Sequence, residues 1–468
     1  LAIATDIARH IARSAYEALP AAAIHAAKRS IVDTMAVAWG ARGAADPSPF
    51  CGAATRDDAA SSSTNWLSAE KTSARTAAFV NSVAASALDF DSVHIGGAVH
   101  PDIVSVPVAL ALTEAAGLPG KAAIAAVALG SDLLCRFALS TRANSGWFYT
   151  SVYGSIVSAG MTAKLMGGSA RQIESAFGLG FMRSAGTYQS VTERSSSKRA
   201  LAALAVDAGI LCGYLGMQGV SGPHDWVEGR FGLHQMYERG DLAAIGSGLG
   251  REYRNVETSI KPYPSCQANH APIDALLALK RKTGISADQV AQIEVVVSPY
   301  MNRLVGASYA PGDNPQVAAQ FSVQYSLACA LLRGRLGIEE IGDHAATDPA
   351  IVELASRVRV TVDERNPNNY CPATVHVTLK NGNTLSETRD FLRGGTDRPL
   401  PDDELLGKLA SCLEAGGYGA DRRLAERLWN SIMALDNEPN VGIWMETLTR
   451  MLRLCNEQRH ISSQGGNA

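Results

Sequence analysis

Ile260-Lys-Pro-Tyr-Pro-Ser-Cys-Gln-Ala-Asn-His270 is where the texture of the chain changes. Pro262 and Pro264 cannot continue a helix, because proline lacks an amide donor and disfavours helical geometry in the residue before it. Upstream, residues 1–260 are rich in Ala, Leu and Gly, with apolar positions at helical spacing; Ala27, Ile31, Met35 and Ala36 share one face. Helices are expected over 24–39, 74–88, 103–117, 121–139, 150–167, 171–178 and 198–218, broken at Gly117-Leu-Pro-Gly120 and Gly167-Gly168. These segments are apolar on more than one face, so they read as a thick stack.

Downstream, the pattern is mixed. Pro272–Lys282 reads as a short helix and Val290–Val297 alternates like a strand. Asn314-Pro315 places a capping residue before a helix-starting proline, opening a helix to about Leu332. Arg357–Val362 and Thr374–Lys380 are β-rich, and Asn381-Gly382 signals a hairpin into a strand near 384–391. Helical spacing returns over Glu404–Leu413, Asp421–Leu435 and Trp444–Leu454. The expected fold class is mainly α. Residues 1–260 with 395–468 form a large all-α helical domain, and 261–394 form a smaller α+β domain inserted into it.

Composition narrows the function. The chain has 468 residues, 46% hydrophobic and 19% charged, which is globular and not disordered. A formal net charge of −3 offers nothing to nucleic acid or to an anionic membrane surface. The eight cysteines are scattered, with no C-x-x-C pair, and read as small buried hydrophobes in a reducing compartment. No run of about 18 unbroken apolar residues and no signal-peptide pattern occurs, so the expectation is a cytoplasmic protein with no membrane span.

Three clusters could carry chemistry. Residues 87–107 read Ala-Leu-Asp-Phe-Asp-Ser-Val-His-Ile-Gly-Gly-Ala-Val-His-Pro-Asp-Ile-Val-Ser-Val-Pro. Asp89, Asp91, His94 and His100 thus fall on one loop between apolar helices, where an unpaired carboxylate is costly. Acid–base chemistry and a divalent metal both fit, as do helix caps and satisfied core groups. Lys198 and Arg199 stand where a helix dipole disfavours cations, which suits either a docked anion or a solvated basic turn. Lys261, Cys266 and His270 sit at the expected domain junction, where clefts form. Lys261 could hold a carboxylate; Cys266 and His270 could act as nucleophile, acid or ligand, or be a buried thiol and a capping imidazole. Phe177-Gly-Leu-Gly180 follows a helix, not a strand, so it reads as helix packing and not as a dinucleotide fingerprint. Tyr325 reads as core unless its helix face borders the cleft.

In this order, the clusters resemble the MmgE/PrpD family, which includes 2-methylcitrate dehydratase, cis-aconitate decarboxylase and iminodisuccinate epimerase. The matching features are Leu88-Asp-Phe-Asp-Ser-Val-His94 with His100-Pro101, the Lys198-led helix, Lys261-Pro-Tyr-Pro-Ser-Cys266 with His270, and Phe321-Ser-Val-Gln-Tyr325 ahead of Gly334. The resemblance implies an α+β lid over the all-α domain, a cleft between them, a homodimer, and chemistry on small di- or tricarboxylates without metal or cofactor. It implies that Asp89, His100, Lys198, Lys261 and Tyr325 are catalytic. Asp91, His94, Arg199, Cys266, His270, Phe148 and Tyr149 would then bind substrate. Two positions depart from the family: Val93 where a Thr is usual, and Phe148 where a His is usual. The departures leave Tyr149, His94 or His270 as replacements for the missing group. Removal of a proton α to a carboxylate needs fixed cations for the enolate-like charge and a base near neutral pKa. Lys198 and Lys261, with Arg199, fit the first role. His100, oriented by Asp89 or Asp91, fits the second, with Tyr325 or His270 as the acid. Dehydration, epimerisation and decarboxylation share this constellation. A metal-dependent hydrolase on Asp89, Asp91, His94 and His270, and a carboxylate-binding protein without turnover, are the rival readings.

Overall fold

The computed structural model describes residues 3–141, 146–237 and 240–464, with side chains as far as Leu454. Its first part is a stack of helices: Ala21–Ala44, Ala74–Ala87, Asp102–Ala115, Gly120–Leu139, Tyr149–Leu165, Ala170–Phe181 and Leu201–Met217. The Leu201–Met217 helix packs on Tyr149–Leu165, Ala170–Phe181 and Ala74–Ala87; the last of these packs on Asp102–Ala115 and Ala21–Ala44. Local signals set the starts. The Ser73 hydroxyl accepts from the Thr76 amide, and Ser169 with Gln172 forms a reciprocal capping box. Small residues set the spacing. A methyl group at Gly209 would lie 2.5 Å from the Ser158 Cβ, and one at Gly180 would lie 2.7 Å from the Ser155 carbonyl oxygen. The Gly-Leu-Gly run therefore serves close helix approach.

At Ile260 the chain leaves the stack and builds a four-stranded sheet in the order 358–362, 290–297, 373–379, 384–389. Val290–Val297 runs parallel to Val358–Val362 and antiparallel to Ala373–Leu379; Val295 stands opposite both Val360 and Val375. The hairpin partner Thr384–Arg389 follows the Asn381-Gly382 turn. His270–Thr283 packs across the last two strands, and Val323–Arg333 packs on His270–Thr283. The chain then returns: Asp402–Ala415 lies along Ala21–Ala44, and the C-terminal helix Val441–Gln464 touches Asp102–Ala115.

The helix expected from Asn314 to about Leu332 is two helices, Pro315–Gln320 and Val323–Arg333. The Gln320 carbonyl is used elsewhere, accepting from the Cys266 amide at 3.0 Å and Asn269 Nδ2 at 3.1 Å. Ser322 is extended, and its hydroxyl accepts from the Tyr325 amide to start the second helix. Asn314 makes no side-chain cap; Asp343 Oδ1 accepts from the Gln316 amide at 3.1 Å. Lys198 and Arg199 fall in a 3-10 turn, Ser196–Ala200, ahead of the α-helix that begins at Leu201.

Cys135, Cys212, Cys266, Cys329 and Cys412 are buried free thiols, and Cys51 and Cys371 are half-buried. Cys455 lies outside the described side chains. Gly120–Leu139 and Ser196–Met217 are long and apolar enough to cross a bilayer; the first is 89% buried inside the stack. The second leaves Leu204 (59% exposed), Leu211 (42%) and Leu215 (38%) along one outer face.

Candidate active site

Asp89 follows the Ala74–Ala87 helix with φ of 49°, a left-handed conformation that a non-glycine residue holds only when its surroundings over-determine it. Here they do. Lys198 Nζ donates to Asp89 Oδ1. Lys261 Nζ donates to the Asp89 carbonyl at 2.8 Å and to Oδ2 at 3.2 Å. Burial would raise the Asp89 carboxyl pKa, but the Lys198, Lys261 and His100 charges outweigh it and hold the group well below the usual carboxylate range. Burial likewise disfavours the Lys261 cation, yet Asp89 and Asp91 push its pKa up. Asp89, Lys198 and Lys261 form one buried cluster.

His100 is set by its own loop. Its Nδ1 lies 2.7 Å from Asp91 Oδ2 and 3.0 Å from the Ser92 carbonyl. Its amide donates to Thr150 Oγ1, and its ring stacks on Phe148 at 6.3 Å between centroids. Holding Nδ1 as the donor leaves Nε2 as the basic nitrogen. Asp91 is fully buried; burial raises its pKa, but His100 and Lys261 bring it below the usual value. Behind this layer, Asp102 accepts from the hydroxyls of Ser30, Ser92 and Ser131.

Asp89, His100, Lys198, Lys261, Cys266 and Phe148 line one narrow cavity of about 30 Å³. That volume is of the order of a water molecule or two. Val93, the first departure from the family pattern, is also in its wall. Burial pushes the Cys266 thiol up to about 12, so it stays protonated at neutral pH.

The other expected residues lie elsewhere. Tyr325 is fully buried; its hydroxyl donates to the Glu340 carbonyl and its ring packs on Tyr309. His94 uses both ring nitrogens, Nε2 at 3.2 Å from Glu257 Oε2 and Nδ1 accepting from the Gly97 amide. His270 Nε2 is 3.1 Å from the Ser265 carbonyl, and burial, then the Lys261 charge, lowers the imidazole pKa to about 3. Tyr149 stacks on Tyr153 at 5.4 Å. Arg199 turns away from Lys198, donates to Gln316 Oε1 and lines a separate cleft of about 1380 Å³. The metal reading loses His94, both of whose ring nitrogens are engaged. Among the described residues no three His, Cys, Asp or Glu side chains converge as a metal cage.

Several lining residues were not singled out in the sequence. Tyr188, Tyr300 and Tyr370 come from segments outside the motifs, while Gln267 and Phe321 lie inside them beside the residues that were singled out. Lys408 is fully internal. Its Nζ is 2.6 Å from Asp33 Oδ1, donates to the Phe90 carbonyl at 2.7 Å and to the Lys261 carbonyl at 3.0 Å, and sits 3.8 Å above the Phe90 ring. It ties the two motif loops to the helical stack. Its only sequence trace is a lysine on the inner face of an amphipathic helix.

The sequence model of the MmgE/PrpD N-terminal domain matches residues 5–245, and that of the MmgE/PrpD C-terminal domain matches residues 263–431. The chain is 24% identical over 401 residues to a cis-aconitate decarboxylase of Aspergillus terreus, covering 80% of each chain. It is 25% identical over 398 residues to the cis-aconitate decarboxylase-like protein oryM of Aspergillus oryzae, covering 78% of this chain and 80% of the relative. It is 25% identical over 357 residues to the mouse cis-aconitate decarboxylase, covering 71% of this chain and 70% of the relative.

Proposed function

The chain belongs to the MmgE/PrpD family, and from that premise we propose that it is a cofactor-free lyase acting on a small di- or tricarboxylic acid. The step is removal of a proton α to a carboxylate, in the manner of a 2-methylcitrate dehydratase-like hydro-lyase. The observation that carries this reading is that one cavity sets His100, backed by Asp91, beside the Lys198–Asp89–Lys261 cluster. His100 Nε2 takes the proton, and Asp91 and the Ser92 carbonyl fix its tautomer. The two ammonium groups hold the substrate carboxylate and the charge that develops as the proton leaves. The names of the relatives support lyase chemistry on a carboxylic acid. Tyr188, Tyr300 and Tyr370 take the place of Tyr325 as candidate proton donors to a leaving group.

In this reading residues 261–394 act as a lid, and its Tyr300, Leu304 and Tyr370 move off the cavity to admit substrate. The protein works as a homodimer. Leu204, Leu211 and Leu215 recur every seven and four residues on the outer face of one helix, and Arg75 and Asp207, paired at 2.5 Å, border the stripe with opposite charges. A two-fold axis across that face would set like stripe on like stripe.

The test is NMR in D2O on a panel of citrate, 2-methylcitrate, malate, cis-aconitate and iminodisuccinate. A new vinylic signal with loss of the carbinol signal is the expected result. Exchange with inversion and no new product would make the enzyme an epimerase acting through the same intermediate. Absence of exchange in every acid would overturn the reading.

A further inference from the structure

We propose that Gln267 reads a hydroxyl group on the substrate, so that the acid taken by this site is a hydroxy acid. The inference rests on the lyase reading above and narrows its substrate class.

Gln267 is 2% exposed, and neither its Nε2 nor its Oε1 has a hydrogen-bond partner among the described residues. It lines the same cavity as His100, Lys198 and Lys261. Its backbone is held firmly. The preceding amide of Cys266 donates to the Gln320 carbonyl at 3.0 Å, and the Asn269 amide donates back to the Cys266 carbonyl at 2.9 Å. The side chain alone is unengaged. A buried carboxamide with both its donor and its acceptor idle is costly and rare, and asks for a partner.

The partner must supply one acceptor and one donor together. A carboxylate only accepts, so it satisfies Nε2 and is repelled by Oε1. An alkyl group satisfies neither. A hydroxyl accepts from Nε2 and donates to Oε1 at once. A hydroxy acid therefore fits the cavity with its carboxylate at Lys198 and Lys261 and its hydroxyl at Gln267. In a hydro-lyase step the α C–H bond breaks toward His100 and the C–O bond breaks as the C=C bond forms. The hydroxyl leaves as water on taking a proton from a cavity tyrosine, and the proton held on His100 is released as the tyrosine is reprotonated from solvent, which balances the reaction. Gln267 holds the group that departs and is a specificity-determining residue.

Calorimetric titration of the full chain with malate against succinate, and citrate against tricarballylate, tests this. In at least one pair the hydroxy acid is expected to bind the wild type at least about tenfold more tightly, the discrimination of a site that hydrogen-bonds a substrate hydroxyl. In Gln267→Leu that ratio is expected to fall to about one, with affinity for the deoxy acid held within about threefold. Gln267→Met, of matched length, replaces the Leu variant if the latter loses its cooperative unfolding transition. No preference in either wild-type pair, or a preference that survives both variants, would overturn the proposal. Deuterium exchange on the same acids separates the two readings. Exchange without a hydroxyl preference defeats only the role of Gln267, while a hydroxyl preference without exchange in any acid supports Gln267 and defeats the lyase reading.

Discussion

Lys261 grips Asp89 twice, donating to its carbonyl oxygen at 2.8 Å and to Oδ2 at 3.2 Å. The contact joins the first residue beyond the change of texture at Ile260 to a left-handed residue at the end of a core helix. One side chain thus fixes both the backbone and the carboxylate of its partner.

Lys261→Met leaves Asp89 its second cation, Lys198, but removes the donor to the Asp89 carbonyl; it is expected to cost about 1–3 kcal/mol in urea unfolding, the cost of a buried acceptor left unsatisfied. Adding Asp89→Asn takes the carboxylate from Lys198 and strands that ammonium as well. The double variant is therefore expected to be less stable than Lys261→Met alone, and recovery of wild-type stability would show that the Lys198 pair and the carbonyl contact contribute nothing.

Lys408 is expected to separate stability from turnover. Lys408→Met leaves Asp33 unpaired, and burial already raises the Asp33 carboxyl to about 6 even with Lys408 present. A loss of about 3–5 kcal/mol is expected. Asp33→Leu combined with Lys408→Met should restore much of that stability. It should not restore kcat, because the Phe90 and Lys261 carbonyls still lack the ammonium that registers the two loops. Urea titrations beside turnover assays read both.

Acid sensitivity follows from His270. Burial lowers its pKa to about 3 in the fold, while an unfolded imidazole titrates near 6.5. The unfolded chain therefore binds the extra proton, and the stability present above pH 6.5 is lost as pH falls toward 3. The slope is about 1.4 kcal/mol per pH unit for this one group. His270→Gln should flatten the dependence of unfolding free energy on pH between 6.5 and 4.5 by about one proton, measured by chemical denaturation at several pH values.

Leu211→Glu, on the outer stripe of the Leu201–Met217 helix, is expected to convert a dimer to a monomer in light scattering at micromolar concentration. A variant that keeps the wild-type mass would move the self-association face elsewhere.

How much of this was legible in the sequence differs between the fold and the site. Helical spacing placed the stack closely: 121–139 was expected and Gly120–Leu139 is observed. The Asn-Gly turn located the hairpin. The break at Phe321-Ser322 was not legible, because its cause is the claim of Cys266 and Asn269 on the Gln320 carbonyl, a contact between segments far apart in the chain. In the site, the dense motifs pointed to Asp89, Asp91, His100, Lys198 and Lys261, since charge among apolar helices has to be paired. Tyr325 read as core by composition and joined these through the family resemblance, while His94 looked equivalent to them by composition. They differ in where the backbone turns them: one faces the Glu340 carbonyl and the other Glu257. Gln267 and Lys408 gave no signal, because a lone amide and a lone lysine become informative only when their surroundings are known.

The most direct test of the account is the rate at which solvent deuterium enters the α position of the acid identified by the NMR panel, compared between wild type and His100→Gln. If His100 is the base held by Asp91, the variant still unfolds cooperatively, at a melting temperature lowered by loss of the Asp91 contact, and exchanges at least about 100-fold more slowly. Exchange at the wild-type rate in a folded His100→Gln protein would contradict the assignment and with it the proposed chemistry of this cavity.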